Sequence, residues 1–428
     1  MHTRRTPPLA DQTWDVAVVG AGPAGLMAAT GAAQRGLATM LLEKNTKPGA
    51  KISISGGGHC NLTHQGDARA IAEEFGASGR FLRSALASFD PAALVDMMAR
   101  EGVPCRTETG GKILPASDRA ADVLAALLRR FERSGATLAT GQAVTEVLVD
   151  GHGFRLTTDA GDVRTRQVVL TTGGRSYPGC GTTGDGYRWA EELGHTIVTP
   201  RPALVPILVD CEWVLSLQGV TLADVLVRVV SSDETSDARP KRARPIAERR
   251  GSLLFAHFGF SGPVALDLSR YISEAPRGHR PSLACDFLPD LNQQKLITTL
   301  AEAASSEGRR TAASLVGRWL PNRVAESLCR LAGLPDERRL AELSRDERTR
   351  LVQALKHQTV PTTGTLGFEK AEVTAGGVTL DEIDSRTMQS KLVPGLFLAG
   401  ELLDIDGPIG GYNLQAAFST GHLAGQSV

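Results

Sequence analysis

The chain carries 428 residues, 42% hydrophobic and 22% charged, an ordinary globular composition with apolar surface enough for the cores of two or three domains. Lys+Arg and Asp+Glu balance at 47 each, so the overall field gives no push toward nucleic acid or a membrane surface. The six cysteines are widely spaced with no CxxC among them, which argues against a disulfide framework or a zinc site and for reduced thiols in a cytoplasmic protein that holds no metal. No run is apolar and long enough to span a bilayer, and residues 1–12, polar with Pro7 and Pro8, read as a frayed tail.

Asp15–Val19 is a short apolar run, as expected of a fully buried parallel strand. Gly20-Ala21-Gly22-Pro23-Ala24-Gly25 follows at once, then an Ala-rich helix-forming stretch to Arg35, stopped by Gly36, and a second strand over Ala38–Leu42, ended by Glu43. This is a GxGxxG set inside a complete βαβ unit. Gly20 permits the tight turn, Gly22 lets backbone approach a pyrophosphate, and Gly25 lets helix and strand close up. The helix N-terminus then offers free N–H groups to phosphates. Glu43 is placed to accept from a ribose diol, with Lys44 beside it in the same site, and an acid there disfavours a 2′-phosphate. The motif alone does not separate FAD from NAD.

Further glycine-rich and polar segments follow. They are Pro48-Gly-Ala-Lys51, Ser55-Gly56-Gly57-Gly58-His59-Cys60-Asn61-Leu62-Thr63, Thr109–Asp118, Val168–Gly174 with Tyr177-Pro178 and Gly184–Gly186, Leu254–Pro263, Glu372–Val378, Gly395–Glu401 and Gly410–Gln415. On these, in order along nearly the whole chain, the sequence resembles the BaiN/RdsA family of NAD(P)/FAD-dependent oxidoreductases. It departs from the family pattern at His59, where Arg is usual, and at His64, where Asn is usual.

The three glycines Gly56, Gly57 and Gly58 expose backbone N–H groups that can lie against an isoalloxazine ring. The resemblance implies FAD as cofactor, with Ser55, Cys60, Asn61 and Lys51 around that loop. It further implies that Thr172, Gly173 and Gly174 return the chain to the cofactor, that Gly400 and Glu401 meet its ribitol chain, and that Gly410, Gly411, Tyr412, Asn413 and Leu414 open a helix toward the flavin O2 edge. Asp404 and Asp406 lie in the loop between. Lys51, His59, Cys60 and His257 are the candidate catalytic groups. Of these, Cys60 is better read as a small buried residue beside the flavin, His59 reads equally as a packed surface residue, and His257 is a candidate acid on an insertion.

The fold class expected is α/β: a discontinuous Rossmann-like FAD-binding domain, at 14–190 and 360–428, interrupted by a barrel-like β-rich subdomain at 191–289 and a helical subdomain at 290–359. Short apolar runs such as Ile207–Val209 and Val225–Val230 read as the strands, and Gln294–Ala304 and Thr311–Leu320 as helices. Arg239, Lys241, Arg242, Arg244, Arg249 and Arg250 crowd one stretch, which reads either as a phosphate-binding ribbon or as a solvated hairpin.

The leading expectation is a reductase in which NAD(P)H, docked transiently, reduces bound flavin, and the flavin reduces a polarised C=C bond. The resemblance implies two substrate classes, a uracil ring in ribosomal RNA and a steroid-type enone, with RNA preferred. The alternatives are an aminoacetone-type oxidase using O₂ and a non-catalytic, FAD-containing RNA-binding protein.

Overall fold

Val16, Ala17 and Val18 stand in a row in the sequence, and all three are fully buried in β1 (Thr13–Val19), a strand covered on both faces. The computed structural model describes residues 13–231, 245–276 and 279–428. These fall into two compact units: residues up to Pro202 together with Ala371–Val428, and the inserted segment Ala203–Lys370.

In the first unit β1 is followed by β2 (Thr39–Glu43), β3 (Thr63–His64), β4 (Cys105–Thr107), β5 (Lys112–Pro115), β6 (Thr137–Thr140), β7 (Val144–Asp150), β8 (Gly153–Thr158), β9 (Gly161–Leu170) and β10 (Ile197–Ala203). The inserted unit supplies β11 (Ile207–Val209), β12 (Thr221–Val230), β13 (Ala247–Ala256), β14 (Gly259–Ser261), β15 (Ser282–Asp286) and β16 (Gln358–Thr365). The chain then returns to the first unit with β17 (Val373–Val378) and β18 (Leu396–Leu398).

The main sheet runs β6-β2-β1-β9-β8-β7. Its β6, β2, β1 and β9 are mutually parallel, and β8 and β7 are antiparallel additions. β9 changes partner along its length: residues 161–165 pair with β8, and 168–170 pair in parallel with β18. The strand Val168–Leu170 is therefore the point at which the last sixty residues join the Rossmann sheet.

The helix Pro23–Gln34 has apolar residues all round rather than on one stripe, and it is buried from Ala24 to Ala32. One face packs on the C-terminal helix Tyr412–Ser427 through small residues. A Cβ on Gly421 would sit 2.3 Å from the Ala24 carbonyl oxygen, and one on Gly425 would sit 2.5 Å from that of Ala28. Glycine at these two positions lets the helix backbones touch.

The inserted unit is a closed antiparallel barrel, β11-β14-β13-β12-β15-β16. Val225, Val227 and Val229 alternate inward along β12, Leu222 joins the same core across a register shift, and Phe255 and Phe260 pack edge-to-face there. Helices Gln293–Ser306, Ala312–Val316, Asn322–Leu331 and Arg345–Lys356 intervene between β15 and β16. The break between units falls after Pro202 and after Lys370 for a physical reason. β10 pairs with β17 and so belongs to the first unit, while β16 is needed to close the barrel.

A buried chain of hydrogen bonds pins the approach to β10 and β18. The Oγ of Ser390 accepts from the amides of Leu392 and Val393, so its own O–H is left to donate to His195 Nε2 at 2.9 Å. His195 Nδ1 then donates to Glu382 at 3.0 Å. With its oxygen occupied and the residue buried, Ser390 is a knot in the scaffold and not a nucleophile.

Candidate functional site

The three glycines of the first turn have separate roles. A Cβ on Gly25 would lie 1.8 Å from the Gly20 carbonyl oxygen, and one on Gly20, at φ +100°, would lie 2.7 Å from that of Thr171. Both are required by close backbone packing. Gly22 differs: it is extended, at φ −81° and ψ −171°, and no atom of the described residues comes within 4 Å of where its Cβ would be. It caps a helix with Pro23 in the first turn and no side-chain cap bond, so no side chain caps the first amides of that helix. That is the form of a phosphate cradle.

Glu43, at the end of β2, is nearly buried. Its Oε2 accepts from Ala21 N at 2.8 Å, and its Oε1 accepts from Asn45 N at 2.9 Å. Each oxygen thus accepts one backbone amide and keeps a further lone pair, and Glu43 braces the glycine turn. Lys44 points elsewhere, to Asp185 and Thr183 at 2.6 Å each. This bond ties the segment after β9 to the end of β2.

Lys51 and Glu401, 350 residues apart, form a 2.6 Å ion pair with side chains 24% and 18% exposed. Lys51 also donates to Ser176 Oγ at 2.7 Å. Ser176 lies 2.9 Å from the other Glu401 oxygen, Oε1, which accepts from Thr374 N at 2.8 Å. Gly174 is seated against the same network, since a Cβ there would be 2.3 Å from Thr374 Oγ1. Both charges are satisfied within this cluster. Lys51 is therefore placed to orient Glu401. Ser176 and Thr374 escape a reading of motifs one at a time, although each lies inside or beside a segment already singled out.

Ser55–Gly58 is a tight turn with Gly56 and Gly57 in the left-handed region, and the space beside Gly57 and Gly58 is open to the described residues. Asn61 packs beneath Gly56. Cys60 is fully buried, and burial pushes its thiol up to about 11. It is protonated at neutral pH and is not a nucleophile there. Iodoacetamide at pH 7 should leave Cys60 unmodified in the folded protein and alkylate it after denaturation; peptide mapping that finds it labelled in the folded state would contradict this placement. His59 is exposed, with Nδ1 4.0 Å from Asp118, and Asp118 also takes Arg106 at 2.5 Å.

At the start of the C-terminal helix, Gly411 is in the left-handed region and is held close to β3, where a Cβ would lie 2.4 Å from the Thr63 carbonyl oxygen. The Asn413 side chain is spent on the preceding loop, accepting from Gly407 N at 2.8 Å and donating to Gly407 O at 2.9 Å. It shapes the helix entry. Tyr412 stacks on His64, with ring centroids 4.7 Å apart and planes 18° apart. Gly400 abuts Ala24 of the first turn, so β18 delivers Glu401 beside the glycine loop. Thr171 closes the other side, its hydroxyl 2.9 Å from the carbonyl oxygens of both Val19 and Gly20, with Thr172 and Gly173 following. Leu414 is partly buried, and Asp406 is buried.

His257 lies in the inserted unit, exposed at the turn between β13 and β14, with its ring edge-on to Phe258. Of the basic stretch, Arg239, Lys241, Arg242 and Arg244 lie outside the described residues. Arg250 is forked by Asp224 and meets Asp290, and Arg249 lies 3.8 Å from Asp267. The described end of that ribbon is thus neutralised by acids. Among the described residues no group of three or more His, Cys, Asp or Glu is placed to hold a metal, and no helix is long and apolar enough to cross a membrane.

Residues 14–427 match the family model described as the HI0933-like protein Rossmann domain. The chain is 32% identical over 421 residues, 97% of its length and 98% of the relative's, to a ribosomal RNA dihydrouridine synthase of Escherichia coli. It is 29% identical, over 96% of its length and 98% of the relative's, to a 3-dehydro-bile acid delta(4,6)-reductase of Clostridium scindens. Among solved structures, 3-ketosteroid delta1-dehydrogenase of Sterolibacterium denitrificans shares the fold, with a TM-score of 0.51 at 12% identity over 96% of this chain and 98% of that one.

Proposed function

The chain belongs to the HI0933-like protein family, and from that premise we propose that it is an FAD-dependent oxidoreductase that uses NAD(P)H to saturate a C=C bond conjugated to a carbonyl. The observation that carries the reading is the contrast within the first turn: Gly20 and Gly25 are glycine because backbone fills the space, whereas Gly22 faces open space at an uncapped helix start. A dinucleotide pyrophosphate fits that opening and accepts from the first helical amides. Three further features fit the rest of FAD: the open backbone at Gly57 and Gly58, the fixed carboxylate of Glu401, and the uncapped start of the C-terminal helix. Bound FAD supplies the hydride chemistry.

The chain's own residues bind and orient. The helix start at Gly22 holds the phosphates, and the Lys51–Ser176–Thr374 cluster fixes Glu401. The C-terminal helix turns its positive end toward the site, where negative charge is stabilised. For the substrate we favour a uracil ring in RNA. The support is the relative named as a ribosomal RNA dihydrouridine synthase, matched end to end. A steroid-type enone, in keeping with the relative named as a bile acid reductase, is the rival outcome.

A visible spectrum of the purified protein, followed by anaerobic NADPH and then NADH, tests this reading. A flavin spectrum bleached by either nucleotide is expected. Reoxidation of that flavin by uridine-containing ribosomal RNA, and not by an enone, would support the RNA substrate. Absence of flavin after reconstitution with FAD would overturn the proposal.

A further inference from the structure

Gln415 lies in the first turn of the C-terminal helix, fully buried, with both ends of its amide partnered. Its Oε1 accepts from the hydroxyl of Thr63 at 2.6 Å, and its Nε2 donates to the carbonyl oxygen of Phe89 at 3.0 Å and to Ser419 Oγ at 2.9 Å. Ser419 in turn donates to the same Phe89 oxygen at 2.6 Å. Thr63 and Ser419 are fully buried as well. The chemistry of the partners fixes the direction of each bond. A carbonyl oxygen only accepts, so the amide nitrogen is the end at Phe89, and the amide oxygen is the end that takes the Thr63 proton.

Thr63 meets this helix at two points one turn apart. Its carbonyl oxygen stands against Gly411, where a Cβ would lie 2.4 Å away, and its hydroxyl holds Gln415. Thr63 is itself fixed on β3, in register with Ile113 of β5. It also ends the segment that begins with the open glycines Gly57 and Gly58. Along that segment Cys60 N donates back to Ser55 O at 3.0 Å, Asn61 packs beneath Gly56, and Leu62 N donates to Ile113 O at 2.9 Å. The glycine loop is thus tied to Thr63 through backbone, and Thr63 is tied to the helix start by one close contact and one buried hydrogen bond. Phe89, just past the helix Gly79–Ser88, backs the amide from the far side, and its ring stacks on His422 of the C-terminal helix with centroids 4.9 Å apart.

We propose that Thr63 and Gln415 are positioning residues whose buried hydrogen bond sets the spacing between the glycine loop and the start of the C-terminal helix, and thereby how strongly that helix end acts on the flavin. This rests on the FAD reading above, in which both elements face one cofactor. A hydrogen bond suits the task because it is confined in length and angle, where an apolar contact lets its partners slide. Burial keeps it made, since a Gln415 oxygen stripped of its donor would have no water to turn to. The sign follows from the helix dipole. The positive end favours the negative charge that a flavin gains on reduction, so a loosened helix start should make the flavin harder to reduce.

The test uses the full chain reconstituted with FAD. The flavin midpoint potential is read by anaerobic equilibration with a reference dye, alongside the visible absorption bands and the melting temperature of each variant. Thr63→Val removes the hydroxyl at nearly constant volume, and Thr63→Ser keeps it. Ser419→Ala removes a bond of the same network but leaves Gln415 tied to both Thr63 and Phe89. Thr63→Val should shift the potential to more negative values and move the visible bands, and Thr63→Ser should bring both back toward the native protein. Ser419→Ala should lower the melting temperature and shift neither. Gln415→Met removes the same bond from the other side and should shift the potential in the same direction, which keeps the test decisive if Thr63→Val does not fold. A native potential in a folded variant that lacks the bond would overturn the positioning role. An equal shift in Ser419→Ala would overturn it too, because it would mark a general loosening of the core. If the native protein takes up no FAD, the functional reading itself fails; a native protein with normal flavin and an unmoved Thr63→Val refutes the positioning alone.

Discussion

Gly22→Val should give a folded protein that no longer retains FAD, and Gly25→Ala should give one that folds poorly. The substitution at Gly22 places a Cβ where no described atom lies within 4 Å, on backbone at φ −81° that any residue adopts. Nothing in the described protein resists it, so the thermal midpoint of the apoprotein should stay within a degree or two of the parent, as for surface substitutions that touch nothing. The new methyl groups fill the space that a pyrophosphate needs and block the helix amides, so FAD affinity should fall by about two orders of magnitude, on the order of 3 kcal/mol. Gly25→Ala is the smaller change chemically and the larger one structurally, because its Cβ meets the Gly20 oxygen at 1.8 Å. Backbone cannot step aside as a flexible side chain can, and overpacking of this kind costs about 3 kcal/mol or more. Calorimetry of the apoproteins with FAD titration reads both effects. If Gly22→Val kept full flavin occupancy, the phosphate cradle would be elsewhere.

What the sequence made legible was local. The run Asp15–Val19, the glycine turn and the Ala-rich stretch dictate a buried strand, a tight turn and a buried helix within forty residues. The structure places the strand at Thr13–Val19 and the helix at Pro23–Gln34, with the second strand following at Thr39–Glu43. The barrel and the helices of the insertion could be read from alternating and helical periodicity, because each element signals its own buried face. What could not be read was the commitment of particular polar side chains to distant partners. Glu43 is placed for a ribose by its position after β2, and in the fold its two oxygens also accept from Ala21 N and Asn45 N. Lys51 looks like a free cation in its own segment, and its counter-charge arrives 350 residues later with β18. The thiol of Cys60 is a candidate nucleophile in sequence and an inert buried group in the fold. Local pattern fixes elements, whereas the protonation and availability of a side chain depend on what the tertiary fold brings beside it.

Removing the ammonium of Lys356 should destabilise the inserted unit more than any surface change. Lys356 ends the helix Arg345–Lys356 and is 6% exposed. Its Nζ lies 2.7 Å from Asp286 Oδ2 and donates to Leu288 O at 2.7 Å, while Asp286 Oδ1 accepts from Leu288 N at 3.0 Å. The pair thus closes the turn by which β15 leaves the barrel and fastens it to the last turn of a helix, where a cation is also favoured by the helix dipole. Lys356→Met keeps the volume and strands Asp286 in a buried site, a loss of about 3–5 kcal/mol. The double change Asp286→Leu with Lys356→Met removes the stranded charge, and the Coulombic part of the loss should return because burying two ions costs nearly what their attraction gives. Recovery should remain incomplete, since Leu288 N and O lose their side-chain partners, each worth about 1 kcal/mol. Urea unfolding followed by tryptophan fluorescence orders the three proteins: native most stable, the double change intermediate, Lys356→Met least. If Lys356→Met were as stable as the double change, Asp286 would be finding water or another donor, and the pair would not be the fastener of this turn.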